Sequence, residues 1–240
     1  MSKKLKVFLG ISYLFILLIF VYFIFSKIEV SRLSDFLYYK ELQANLENFI
    51  GGNIIINLFL FFVFSIIWVT LLGFGSPILI ISGILFGKWI GTFISVISIS
   101  IGALILYSIA NFFFADVVQK IFKSKFEKYI QLFKKNEFYY YFIYSFVGGL
   151  GVPFFLQNIL PVIFNMKKLN YFYSSMLGFI PGFFVFNTIG AGLNKYVKNS
   201  DSFSFLNLIS SKEVYLPLVM FVFLILISLI IKRKIFDAKY

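Results

Sequence analysis

The chain has 240 residues, of which 60% are apolar and 13% charged, and its formal net charge is +12. A soluble domain covers its surface with about 25% charged residues, so this composition excludes an ordinary soluble fold and points to a single membrane domain. Cysteine and histidine are both missing, which excludes disulfides, thiolate and imidazole chemistry and the usual zinc and haem ligand sets.

Lys3, Lys4 and Lys6 precede an apolar run over 7–25. The run is longer than a secretory-signal core and lacks a small-residue cleavage site, so it reads as an uncleaved anchor span. Residues 27–53 are polar, yet Leu33, Phe36, Leu37, Leu42, Leu46 and Phe49 recur at helical spacing. They predict either an interfacial helix or a loop helix packed on the bundle. An apolar run over 54–72 ends at Gly73-Phe74-Gly75-Ser76-Pro77, and a short apolar piece over 78–86 follows. Gly87-Lys88 interrupts, and 89–114 is apolar again, with Gly91 and Gly102 as small residues that let helices approach closely.

Residues 115–137 carry Lys120, Lys123, Lys125, Lys128, Lys134 and Lys135 on an amphipathic pattern suited to an anionic membrane surface. The run over 138–164 is broken by Gly148, Gly149, Gly151, Pro153 and Pro161. Two further runs follow, 171–189 with Pro181-Gly182 inside it and 214–231, separated by a polar loop over 190–213. Tyr107, Tyr139, Tyr140, Tyr141 and Tyr144 are expected to form interfacial belts.

Gly73, Gly75 and Pro77 have partners at one constant offset later in the chain, at Gly149, Gly151 and Pro153. In both copies a breaker is followed by a short apolar piece, a lysine and a long apolar run, which is the pattern of an internal repeat. Broken apolar segments at matching places in two halves suggest discontinuous helices or re-entrant hairpins, and Pro77 and Pro153 are expected to free backbone carbonyls by breaking the helical ladder. Charge counting discriminates between topologies. Opposed hairpins at 54–86 and 138–164, with four full spans, put 15 of the 22 lysines and arginines inside and 7 outside. This places both termini in the cytoplasm. The expected fold class is therefore an all-α multi-pass membrane protein. Residues 1–53 form an anchor span and interfacial helix. Residues 54–193 form the core, as a first repeat over 54–114, a basic linker over 115–137 and a second repeat over 138–193. Residues 194–240 form a C-terminal loop and span.

The stretches Ile81-Ser82-Gly83-Ile84-Leu85-Phe86-Gly87-Lys88-Trp89-Ile90-Gly91-Thr92, Pro153-Phe154-Phe155-Leu156-Gln157-Asn158-Ile159-Leu160-Pro161 and Gly178-Phe179-Ile180-Pro181-Gly182-Phe183-Phe184-Val185-Phe186, with Gly190-Ala191-Gly192-Leu193, resemble motifs of the DedA-like, SNARE-associated Golgi proteins, also called VTT-domain proteins. The resemblance implies two re-entrant hairpins facing each other across the membrane and a role in handling lipid: flipping or scrambling phospholipid, or returning a lipid carrier. It also implies a cell-membrane location of the bacterial inner-membrane type. The sequence departs from that family at three places. Val147 and Gly148 stand where an arginine is usual, Asn111 stands near a second such position, and the first hairpin carries no acidic residue. Proton coupling is therefore not expected.

The expected substrate path runs through Gly73, Gly75, Ser76, Pro77, Gly149, Gly151, Pro153, Gln157, Asn158, Pro161 and Pro181. Lys120, Lys123, Lys125 and Lys128 are expected to meet anionic headgroups at the cytoplasmic face. The partners are then membrane lipids and not nucleic acid, with no cofactor or metal. The reading is lipid translocation, against a scaffold that moves nothing. An enzyme is disfavoured, because the spans hold no histidine or carboxylate to serve as base or metal ligand.

Overall fold

The computed structural model describes residues 3–26, 30–32, 35–122, 127–148, 154–158, 160–200, 202, 204–231 and 233–234. Among them the regular structure is helical: α1 (Lys3–Phe25), a 3-10 turn (Val30–Arg32), α2 (Phe36–Ile50), α3 (Ile54–Leu72), α4 (Ser76–Phe122), α5 (Glu127–Lys135), α6 (Glu137–Phe146), α7 (Phe154–Gln157), α8 (Leu160–Phe164), α9 (Lys168–Asn199), α10 (Phe205–Ser210) and α11 (Lys212–Ile231). Five of these, α1, α3, α4, α9 and α11, contain stretches long and apolar enough to cross a membrane. The sequence pattern predicts four full spans, and the additional long helix is α3. It is 19 residues long and unbroken.

Asn53 caps α3, its side chain accepting from the backbone N–H groups of Ile55 and Ile56. Gly73 ends it in the left-handed conformation at φ 74°, which glycine adopts without a Cβ penalty. The Trp68 indole N–H donates to the Phe74 carbonyl at 2.9 Å and holds the turn. Pro77 is the second residue of α4. Its missing N–H costs nothing in a first turn, so the ladder is broken by Gly73, and Pro77 starts the next helix.

α4 is two limbs, 76–86 and 88–122, joined at Gly87, whose φ of 72° is closed to most side chains. The Ser82 hydroxyl donates to the Gly91 carbonyl at 3.0 Å. A straight helix from one to the other would hold those groups about 13 Å apart, so the chain doubles back at Gly87. Phe61 of α3 meets Phe86 edge-on, with ring centroids 5.3 Å apart. α3, limb 76–86 and limb 88–122 therefore lie side by side with alternating direction.

A second unit follows. α6 ends at Phe146, residues 149–153 lie outside the described residues, and α7 and α8 lead to a reversal at Asn165, φ 51°. α9 then leads away. A Cβ on Gly102 would come within 3.0 Å of the Ile66 carbonyl oxygen, and one on Gly178 within 2.9 Å of the Phe142 carbonyl oxygen. Gly178 and Phe142 stand at the same offset from Gly102 and Ile66 that relates Gly149 to Gly73. The long limbs run antiparallel, with Trp89 beside Phe184 (4.9 Å between centroids) at one end and Tyr107 beside Tyr171 (5.0 Å) at the other.

Contacts between the units are reciprocal. A Cβ on Gly83 would overlap the Asn187 backbone, and one on Gly190 the Ile80 carbonyl, so limb 76–86 touches α9 backbone to backbone. On the other side, the Tyr107 hydroxyl donates to the Met166 carbonyl at 2.6 Å, just beyond α8. α1 lies along α3, its Tyr13 hydroxyl reaching the carbonyls of Thr70 and Leu71 at 2.9 and 3.0 Å. α11 covers α9, with Phe221 edge-on to Phe186.

The basic segment 115–137 divides between the end of α4 and α5. Phe133 of α5 is buried and stacks on Phe164 at 4.0 Å, so part of the apolar face expected to lie on a membrane packs on protein. α2 buries Tyr38 while Leu37 and Leu42 stay exposed, so it presents apolar side chains on more than its bundle face.

Candidate functional site

The two tips share one cavity of about 400 Å³. Gly75 and Ser76 line it from the first unit, and Val147, Gly148, Phe154 and Gln157 from the second, with α11 closing one side. A Cβ on Gly75 would sit 3.4 Å from Ile99 Cδ1 and 4.0 Å from Phe154 Cε1, which shows how near the tips come. Ser145 also lines the cavity. It is 3% exposed, and its hydroxyl finds no hydrogen-bond partner among the described residues. A larger cavity of about 910 Å³ opens between limb 88–122, α9 and α11. Its walls are almost wholly apolar, and of the expected path residues only Pro181 lines it.

The structure brings Gly75, Ser76 and Gln157 together at the tip cavity. Gly73 and Pro77 shape the turn beside it. Gly149, Gly151 and Pro153 lie outside the described residues, as do Lys123 and Lys125. Lys120 is exposed in the last turn of α4, and Lys128 lies on α5. Asn158 does not line the cavity. It is 2% exposed, its amide donates to the Phe154 carbonyl at 3.0 Å, and its Oδ1 accepts from the Tyr171 hydroxyl at 2.6 Å. Pro161 is the second residue of α8, buried, and its carbonyl accepts from the Met166 N–H.

The tyrosines correct an expectation. Tyr107, Tyr141 and Tyr144 are buried, not interfacial, while Tyr139 is exposed. For Tyr107 and Tyr141 the reason is backbone satisfaction, whereas the Tyr144 hydroxyl has no partner among the described residues. In an unbroken helix the Gln157 carbonyl would accept from residue 161, which is proline and has no N–H. The Tyr141 hydroxyl donates to that carbonyl instead, at 3.1 Å. Tyr107 serves the Met166 carbonyl in the same way, and Tyr171 donates to the Asn158 side-chain oxygen. A buried tyrosine hydroxyl needs a partner, and the broken segment 154–166 supplies three.

Sequence reasoning missed Ser145, Gly182, the Phe179–Phe183 pair and Asn187. A signal existed for two of them in the constant offset between the repeats. Ser145 is the counterpart of Val69 at that offset, and each packs on the glycine of its own unit. Asn187 is likewise the counterpart of Asn111, which stands near a usual arginine position of the family. Each asparagine carries a buried side-chain oxygen without a hydrogen-bond partner among the described residues. Gly91 leaves room for the Asn187 carboxamide, since a Cβ there would fall 2.5 Å from Oδ1.

No cluster of acidic side chains suited to a metal ion occurs among the described residues. The arrangement can offer a neutral, partly polar pocket bounded by backbone turns. No curated protein and no solved structure matches the chain. The family model described as the VTT domain matches residues 73–192, half of the chain, and spans both tips and both long limbs. The chain belongs to the VTT-domain family, that of the SNARE-associated Golgi and DedA-like membrane proteins.

Proposed function

We propose that this protein lets lipid headgroups cross between the two leaflets of a membrane at the place where its tips meet. The observation that carries the reading is the single cavity lined by both tips. Among the described residues its polar side chains are Ser76, Ser145 and Gln157, in an otherwise apolar surround. Limb 76–86 has eleven residues and α6 has ten, about 15–16 Å each. That is half of the roughly 30 Å hydrocarbon core, so on this reading each tip lies near mid-depth and the 19-residue α3, which leads to the first tip, must tilt. Irregular backbone survives at that depth only where protein buries it or a polar cavity meets it.

On this reading 54–86 and 138–164 are re-entrant hairpins that enter from opposite faces, and the two units form an inverted repeat. The backbone contact of limb 76–86 with α9, the Tyr107 bond beside α8 and the antiparallel long limbs support it, as does the charge count. Both termini then face the cytoplasm of a cell membrane of the bacterial inner-membrane type. Lys120, Lys123, Lys125 and Lys128 meet anionic headgroups there. The protein moves lipid and performs no covalent chemistry.

Two experiments test this. In vesicles reconstituted with the purified protein, fluorescent lipid in the inner leaflet becomes accessible to an external quencher if headgroups cross. Gly182 lines the cavity, and a Cβ there meets nothing within 4 Å. Gly182→Phe therefore plugs the cavity without disturbing packing and is expected to lower flux at least about tenfold with unfolding unchanged. Full flux in that variant would sink the path, and no flux in the native protein would favour the scaffold. For topology, the chain has no native cysteine. An impermeant maleimide is expected to label Lys88→Cys only from outside and Lys168→Cys only from inside. Labelling from one common face would remove the inverted arrangement.

A further inference from the structure

The larger cavity, of about 910 Å³ between limb 88–122, α9 and α11, lies apart from the tips. It shares one lining residue, Leu224, with the tip cavity. α9 turns Ile180, Pro181 and Phe184 to the larger space and Phe179, Gly182 and Phe183 to the smaller.

A space of this size in a packed protein is neither empty nor wet. Interiors hold few voids larger than a water molecule, and bare apolar walls forfeit their dispersion contacts. Water needs several polar partners. Apart from the Trp89 indole, the cavity's polar side chain is that of Thr92, and its hydroxyl already donates to the Lys88 carbonyl. Val96 and Val185 on its walls are buried, while Trp89, Phe93, Val219 and Phe223 are more than half exposed. The cavity is therefore open along one side, and in a chain that spans a membrane that side meets hydrocarbon.

One end of the cavity carries a cation. Lys88 is exposed, and its Nζ lies 5.9 Å from the centroid of the Trp89 ring. The other end of the lining on the same limb is Ile97. Nine residues of helix separate the two, a rise of about 13–14 Å, close to half of the roughly 30 Å hydrocarbon core.

We propose that this cavity is a binding site for one acyl chain of an anionic phospholipid, with the lipid phosphate at Lys88. The apolar walls take the chain, the length fits one leaflet, and Lys88 supplies the opposite charge. A zwitterionic lipid fills the same walls but brings an ammonium group that Lys88 repels. The bound lipid is resident rather than transported, so the proposal stands apart from the translocation reading and its test needs no lipid flux.

The chain has two tryptophans, of which Trp89 lines the cavity and Trp68 is buried. The purified protein is reconstituted in equimolar phosphatidylglycerol and phosphatidylcholine, with brominated chains on the one lipid or on the other. Bromine quenches tryptophan on contact, and the difference between the native protein and Trp89→Phe isolates the signal of Trp89. Phosphatidylglycerol is expected to be favoured at Trp89 by about fivefold, the attraction of one lysine for an anionic membrane lipid. Lys88→Gln is expected to bring that preference close to unity while leaving quenching by both lipids in place. Equal quenching with bromine on either lipid in the native protein would mean ordinary contact with the bilayer and overturn the anionic site. A preference that survives in Lys88→Gln would overturn the anchoring at Lys88, and absence of Trp89 quenching by either lipid would overturn the acyl-chain site altogether.

Discussion

Limb 76–86 and segment 154–164 occupy matching places in their units, yet they are held by opposite means. Limb 76–86 is an unbroken helix that satisfies its own backbone, and it packs by shape, with Gly83 against the backbone of α9 and Gly190 of α9 against its own. Segment 154–164 is divided into two short helices, α7 and α8, and buried tyrosine hydroxyls from α4, α6 and α9 bond its loose polar groups and the turn after it. A continuous helix needs only a close-fitting surface. A broken one must borrow hydrogen bonds, because an unpaired polar group costs far more in hydrocarbon than in water. Segments at one constant offset in the sequence are thus stabilised once by small residues and once by large ones.

The largest effect is expected from breaking the shape-based side. In Gly83→Val the new Cβ meets the Asn187 backbone, which cannot rotate away as a side chain would. The cost lies at or above the top of the about 1–3 kcal/mol typical of overpacking, read as a loss of monodisperse protein or of the thermal midpoint in detergent. A native-like midpoint would mean that the two units are not packed backbone to backbone.

A smaller effect is expected on the hydrogen-bonded side. Tyr171→Phe keeps the ring and removes the donor to Asn158 Oδ1, which is buried. The expected cost is about 1–3 kcal/mol, and Tyr141→Phe should follow with about 1 kcal/mol. Thermal unfolding measures both. If each fell within about 0.5 kcal/mol of the native protein, the scale of an uninvolved surface site, the tyrosines would be filling space only.

The smallest effect sharpens the contrast most. Ser95 holds the place in the first unit that Tyr171 holds in the second, and its buried hydroxyl has no partner among the described residues. Ser95→Ala removes a polar group that gains nothing from burial, so it is expected to leave stability within about 0.5 kcal/mol or to raise it. A hydroxyl deletion would then cost stability in the second unit and none at the equivalent place in the first. A large loss in Ser95→Ala would show that the first unit also depends on side-chain hydrogen bonds.

Much of this was legible in the order of residues. The apolar runs, the breaks at Gly73 and Gly148, the constant offset between the halves and Gln157 at the tip all follow from periodicity and spacing. The burial of the tyrosines did not. Tyr139 and Tyr141 sit close together in the same run, and only the packing of α6 on α9 decides that one is exposed and the other enclosed.

By itself, the sequence determined that this is a helical membrane protein and that breaks fall at Gly73 and Gly148. Composition and breaker residues act locally, and a local rule can be read one residue at a time. Only the tertiary structure decided that Gly75 and Phe154 meet, that the two tips open into one cavity, and which hydroxyls are enclosed. Those outcomes depend on residues such as Gly75 and Phe154, far apart in the chain, coming within contact distance, and no property of either residue alone encodes that meeting.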